Sequence, residues 1–263
     1  MLQIDTYIRA ESPAHAYEMC QKKTNVILGG MLWLKQQNRR VGTAIDLCGL
    51  GLDTIEETED CFRIGAMVTL RQMETHPGLN ALCGGAVSDA LCRIVGVQLR
   101  NLATVGGSVF GRFGFSDVLT VLMALNAEVE LFRGGRIPLT QFSAMKAERD
   151  VLLYVYVPKK PLRAVYLSQR NTATDFPVLT AAVCMDEDGV RCVIGARPLR
   201  AVQFGDEKGI LSGAVTKETA RAYGEEIASR LVLAGNRHAG EAYRRDLCRV
   251  LVRRALLSLA EVK

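Results

Sequence analysis

The 263-residue chain is 49% hydrophobic and 23% charged, the balance of a folded globular protein, which excludes a disordered one. Its net charge of +5 is dispersed, and with aromatics at 6% this argues against nucleic-acid binding. No apolar run approaches the ~18 residues of a membrane span, and Met1-Leu2-Gln3-Ile4-Asp5 lacks the basic region and apolar core of a secretory signal.

In chain order, Ser12 to Cys20 reads as a short helix, with Ser12 as N-cap and Pro13 in the first turn. Val26 to Leu28 is a short buried strand running into Gly29-Gly30. A helical turn at Leu32-Trp33-Leu34 then carries Lys35, Arg39 and Arg40. Val41 to Leu47 is a further strand, closing a first block near residue 53. Phe62 to Met67 opens a second block as a strand, and Leu79 to Val95 has a mostly helical pattern interrupted by Gly84-Gly85.

Arg100 to Gly107 reads as a polar, glycine-bent loop. Ser116-Asp117 caps a buried helix over Val118 to Leu125. Glu128 to Phe132 alternates as a strand, Gly134-Gly135 makes a tight hairpin turn, and Val151 to Val157 is a strand stopped by Pro158. Three strands follow at Val165–Arg170, Val178–Met185 and Val190–Ala196, then two helices at Thr216–Leu233 and Gly240–Leu259. On the last helix Tyr243, Leu247, Val250, Leu251 and Leu257 share one apolar face. Arg245, Arg249 and Arg253 lie opposite, as a solvated face or a docking surface for an acidic partner.

The 8 cysteines form no C-x-x-C pair and no zinc or iron–sulfur spacing, so they read as reduced small hydrophobes of a cytoplasmic protein. His15, His76 and His238 stand apart from carboxylates and cysteines, and no metal ligand or catalytic side chain is assigned. A Walker loop, a G-x-S-x-G elbow and a Rossmann G-x-G-x-x-G context are all missing. Such a pattern suits a protein whose hard chemistry resides in a bound cofactor.

Two diglycines carry the main signal. Gly29-Gly30 ends an apolar run, and Gly106-Gly107 sits between Thr104 and Ser108 with Asp117 downstream. Glycine lets the main chain approach a ligand that a Cβ would push away, and successive N–H groups form an anion-binding concavity. Both pairs also suit ordinary turns. Asp117 either accepts from ribose hydroxyls or caps its helix.

Val97-Gln98-Leu99-Arg100-Asn101-Leu102-Ala103-Thr104-Val105-Gly106-Gly107-Ser108, followed by Ser116-Asp117 and Leu122 to Ala127, resembles the second FAD-binding motif of the molybdopterin-dehydrogenase flavoproteins. These are the FAD-binding medium subunits of xanthine dehydrogenase and carbon monoxide dehydrogenase. Ile27-Leu28-Gly29-Gly30 is similar to their first motif, and Ile64-Gly65-Ala66, Val151 to Pro158 and Ala242-Tyr243-Arg244-Arg245 follow in family order. The resemblance implies an α+β fold. Two α/β FAD-binding subdomains, 1–53 and 54–160, precede a C-terminal α+β domain, 161–263, with a three-stranded antiparallel sheet and helices.

It further implies FAD bound by Leu28, Gly29, Gly30, Met31 and Leu32 from the first loop. Thr104, Gly106, Gly107, Ser108 and Asp117 contribute from the second motif, with Val151 and Leu152 as apolar contacts near the flavin ring. The implied partners are an iron–sulfur subunit and a molybdopterin-binding large subunit, with NAD or another acceptor receiving electrons. Three departures stand out: Met31 where the family has Thr or Ser, Ser108 where it has Asn, and Ser168-Gln169-Arg170-Asn171 where it has a Lys-x-x-x-Arg-Arg run. Backbone-mediated binding survives all three. The competing readings are a non-catalytic assembly or interaction subunit with weak or lost flavin binding, and a stand-alone flavin reductase.

Overall fold

The computed structural model describes residues 1–146 and 148–261. Strands β1 (Gln3–Arg9), β2 (Val26–Leu28) and β3 (Arg40–Asp46) form a parallel sheet in the order β1-β3-β2. Helix α1 (Pro13–Cys20) connects the first two strands. Ser12 caps it by accepting from the His15 amide at 3.1 Å. Strand β1 goes unmarked in the sequence because almost all of its side chains are exposed.

The middle of the chain holds β4 (Ile55–Glu57) and β5 (Cys61–Gly65), then α2 (Leu70–Thr75), α3 (Pro77–Leu82), α4 (Ala86–Leu91), α5 (Val97–Arg100), α6 (Val105–Phe110) and α7 (Asp117–Ala124). After these come β6 (Glu128–Leu131), β7 (Gly135–Pro138), α8 (Leu139–Ala144) and β8 (Leu152–Pro158). The strands make a five-stranded, wholly antiparallel sheet in the order β4-β5-β8-β6-β7.

Two expectations are corrected here. The helix expected over Leu79–Val95 is split into α3 and α4, because Gly84 and Gly85 take φ of 58° and 86°. The glycine loop expected over Arg100–Gly107 is only a short turn over 101–104, between the last residue of α5 and the first turn of α6. Gly106 and Gly107 lie in the first turn of α6, whose N-cap Thr104 accepts from the Gly107 amide at 3.1 Å.

The C-terminal part contains β9 (Arg163–Arg170), β10 (Pro177–Asp186), β11 (Gly189–Gly195) and β12 (Val202–Phe204), followed by α9 (Lys217–Arg230) and α10 (Glu241–Glu261). Its antiparallel sheet has four strands, in the order β12-β11-β10-β9, where three were expected. Val202-Gln203-Phe204 is too short to show alternation, yet Ile194 pairs with Val202 and Cys192 with Phe204.

The core face of α10 matches the expected one in part. Leu251 is buried and Leu247 and Leu257 pack against the core, but Tyr243 is exposed, and Arg244, Cys248, Val252, Ala255, Leu256 and Leu259 complete the buried face. Arg244 reaches inward to the carbonyls of Val178, Ala234 and Ala239, so its charge is matched by acceptors. Arg245 and Arg249 pair with Glu241, Glu225 and Asp246, which ties the expected arginine stripe to neighbouring carboxylates.

Three apolar cores result. One lies against the first sheet and takes in Ala16, Ile45, Val151 and Leu153. A second fills the middle, and a third lies between the C-terminal sheet and α9 and α10. Helix α7 is buried at every position and packs on β10 and β11. Among the described residues no helix is long and apolar enough to cross a membrane.

Candidate functional site

The chain that leaves β2 at Leu28 turns at Gly29-Gly30 directly against the segment before α6. A Cβ on Gly30 would sit 1.8 Å from the Leu102 carbonyl oxygen, and one on Gly29 would sit 2.7 Å from the Thr104 hydroxyl. Only glycine permits that approach. The segment from Ala103 to Gly106 in turn runs alongside Ala66 to Leu70. Leu70 N–H donates to Ala103 O at 2.7 Å, Val105 N–H to Val68 O at 2.8 Å and Gly106 N–H to Ala66 O at 2.8 Å. Gly106 is required there, since its Cβ would meet Ala66 O at 2.6 Å. The two glycine segments are thus locked together and onto the middle sheet.

They border a cavity of about 900 Å³. Leu28, Gly29, Gly30, Met31, Leu32, Thr104, Gly106, Gly107, Ser108, Asp117 and Leu152 all line it. Val151 does not: it is fully buried in the core against the first sheet, its amide held by the Asp150 carboxylate at 2.7 Å. Strand alternation explains the split, because adjacent side chains leave opposite faces.

The two segments differ in their free hydrogen-bonding groups. The amides of Gly29, Gly30, Met31 and Leu32 donate to no acceptor among the described residues. Met31 takes φ of 58°, a left-handed conformation uncommon for a residue with a side chain. Successive free amides at such a turn make a concavity for an anion. In the second segment every amide from Val105 to Ser108 is used: Gly107 N–H by Thr104 Oγ1, Ser108 N–H by Thr104 O at 3.0 Å, the other two as above. The Ser108 hydroxyl turns back to donate to Thr104 O at 2.9 Å. The expectation that both loops present free amides is therefore corrected. What the second loop offers is space, because Gly107 is exposed and a Cβ there would meet only the Thr104 hydroxyl, at 3.1 Å.

Residues 2–160 match the profile of the FAD binding domain in molybdopterin dehydrogenase. The chain belongs to this family. FAD is the cofactor that the family's domain binds. Over 212 residues the chain is 29% identical to the uncharacterized protein YgfM of Escherichia coli K12, covering 80% of this chain and 77% of that protein. It is 26% identical over 273 residues to the nicotine 6-hydroxylase medium subunit of Paenarthrobacter nicotinovorans, covering 95% and 96%. In fold it superposes on a chain of carbon monoxide dehydrogenase from Hydrogenophaga pseudoflava with a TM-score of 0.87, at 21% identity, covering 97% and 96%.

Further features of this flavoprotein-family site went unread in its sequence. Ser116, not Asp117, caps α7, accepting from Leu119 N–H at 3.1 Å. The Asp117 carboxylate instead takes the Tyr166 hydroxyl and the Arg170 guanidinium, the latter at 2.5 Å. Burial pushes its carboxyl up to about 6, against the pull of Arg170 and then Tyr166. Arg170, in the place of the family's basic run, is thereby matched by an acid in the cavity wall.

Four aromatic rings, Trp33, Phe113, Phe115 and Phe176, also line the cavity. Trp33 lies 5.7 Å from Phe113, 5.6 Å from Phe115 and 6.0 Å from Phe176 between ring centroids. The lone tryptophan three residues beyond a diglycine, and Phe113-x-Phe115 just before Ser116-Asp117, were the available signals.

Proposed function

We propose that this chain is the FAD-binding subunit of a molybdenum hydroxylase-type complex. In that role it relays electrons from iron–sulfur clusters on a small partner subunit to NAD or another acceptor, with substrate oxidised on a molybdopterin-binding large subunit. The observation that carries the reading is the row of free amides from Gly29 to Leu32 beside the uncovered Gly107, in a cavity of about 900 Å³ lined mostly by residues of an FAD-binding family domain. The likeness to a hydroxylase medium subunit along 95% of the chain supports the complex. In this reading 1–53 and 54–160 hold the cofactor, 161–263 is the C-terminal flavoprotein domain, and the protein works in the cytoplasm.

The residues present fit the cofactor. The amides of Gly29 to Leu32 would hold the diphosphate, and Gly107 would let it lie close to the main chain. Thr104, Gly106 and Ser108 shape that wall, Leu28 and Leu152 give it apolar cover, and Asp117 places an acceptor in it. When bound, FAD supplies the redox chemistry at its ring. The chain's own work is to bind, orient and exclude water, and this reading assigns no acid or base role to a side chain.

The occupied amides of the second segment favour a second reading, an assembly or interaction subunit that keeps the fold with weak or lost flavin binding. A visible spectrum of the purified protein separates the two. Flavin bands, present or gained on reconstitution, are expected; a colourless protein that takes up no FAD overturns the first reading. Co-purification of iron–sulfur and molybdenum partners is expected of the complex, and a lone active monomer counts against it.

A further inference from the structure

The aromatic wall is drawn from three separate stretches of chain. Trp33 follows the free amides, Phe113 and Phe115 lie in the link before α7, and Phe176 lies between β9 and β10. Phe113 and Phe115 stack at 5.1 Å with an interplanar angle of 9°, and Phe115 meets Phe176 at 4.6 Å. Trp33 and Phe176 lie within 26° of parallel. Despite this packing, Trp33 keeps 45% and Phe176 40% of its surface exposed. Large rings left open together on a cavity wall are a stacking surface for a planar ligand group.

Resting on the FAD reading above, we infer that Trp33, backed by Phe113, Phe115 and Phe176, is the platform on which the isoalloxazine ring of FAD stacks. FAD carries two planar groups, and the cavity lining has one aromatic wall, with Phe110 its one further aromatic residue among those described. The tricyclic ring has the larger π face and gains more from such a wall than adenine does. Trp33 is two residues beyond Met31, so a ring on it stays within reach of a diphosphate on the amide row.

Trp33 is the chain's single tryptophan, which makes the test direct. An indole in contact with an excited flavin quenches its emission by electron transfer, whereas a phenyl ring does not. The experiment compares flavin emission and the FAD dissociation constant of reconstituted wild type, W33F and W33A, with circular dichroism confirming the fold. W33F is expected to retain FAD and to regain bound-flavin emission several-fold. W33A is expected to weaken FAD binding by about tenfold, the loss that goes with one stacked ring. F176L, which leaves the indole in place, is expected to keep the emission quenched. W33F that holds FAD with wild-type emission overturns the inference alone, including the case in which adenine occupies the wall. A wild-type protein that takes up no FAD overturns the function reading as well.

Discussion

The two glycine segments look alike in sequence and do opposite things in the structure. Gly29-Gly30 sits at the end of a strand, with four successive amides, through Leu32, that find no acceptor among the described residues. Gly106-Gly107 opens a helix whose amides are all spent inside the protein, and the acid that follows it is spent on Tyr166 and Arg170. The first is an open donor array; the second is a closed framework holding the first in place. A diglycine therefore marks close approach of backbone, and only the hydrogen-bond accounting tells whether a neighbour or a ligand is approaching.

Breaking each segment should give different failures. The largest expected effect is G107V. With only the Thr104 hydroxyl near its Cβ, the new side chain projects where the cofactor would lie, so FAD retention is lost while the unfolding temperature stays close to wild type. Flavin absorbance of the purified variant checks this, and an unchanged FAD content would show the diphosphate to be elsewhere.

G30A acts on the other side of the comparison. Its Cβ would lie 1.8 Å from the Leu102 carbonyl oxygen, so the loops must part. A stability loss of about 3 kcal/mol in chemical denaturation is expected, the upper range for a single substitution. A variant as stable as wild type would refute the interlock.

The smallest effect concerns Asp117. Its carboxyl is raised by burial to about 6, so between the ordinary carboxylate value and that point the folded state holds a proton that the unfolded chain releases. Its contribution to stability is fully present at low pH, falls as pH rises through this window and is flat above it. The difference in unfolding free energy between wild type and D117N is expected to change across that window with this sign. A difference independent of pH would mean that Arg170 holds the carboxylate ionised throughout.

Much of the fold was legible where local chemistry and burial agree. The Ser12 cap with Pro13, the short apolar strand at Val26–Leu28, the wholly buried helix after Ser116 and strands β9 to β11 of the C-terminal sheet all carry strong local patterns. Legibility failed where a neighbour supplies the reason. Strand β1 is exposed and owes its form to pairing with β3, and β12 is three residues long. The face of α10 was read only in part, because a buried arginine reads as surface until its carbonyl partners are known. At the site, family order brought the glycines and Asp117 to one cavity. It missed the occupied amides of α6, the Asp117–Arg170 pair and the ring wall, each of which depends on contacts between distant segments.

Helix α7 has a consequence for how this protein can be cut or recombined. All of its residues are covered, partly by β10 and β11, and Thr120 meets Thr180 across that junction at 3.1 Å. The family domain ends at residue 160, before those strands begin. A piece trimmed to that boundary would present one of the most apolar helices of the chain to water and would favour aggregation over folding. The C-terminal sheet thus closes part of the core that residues 2–160 begin, and the two stretches are expected to fold together.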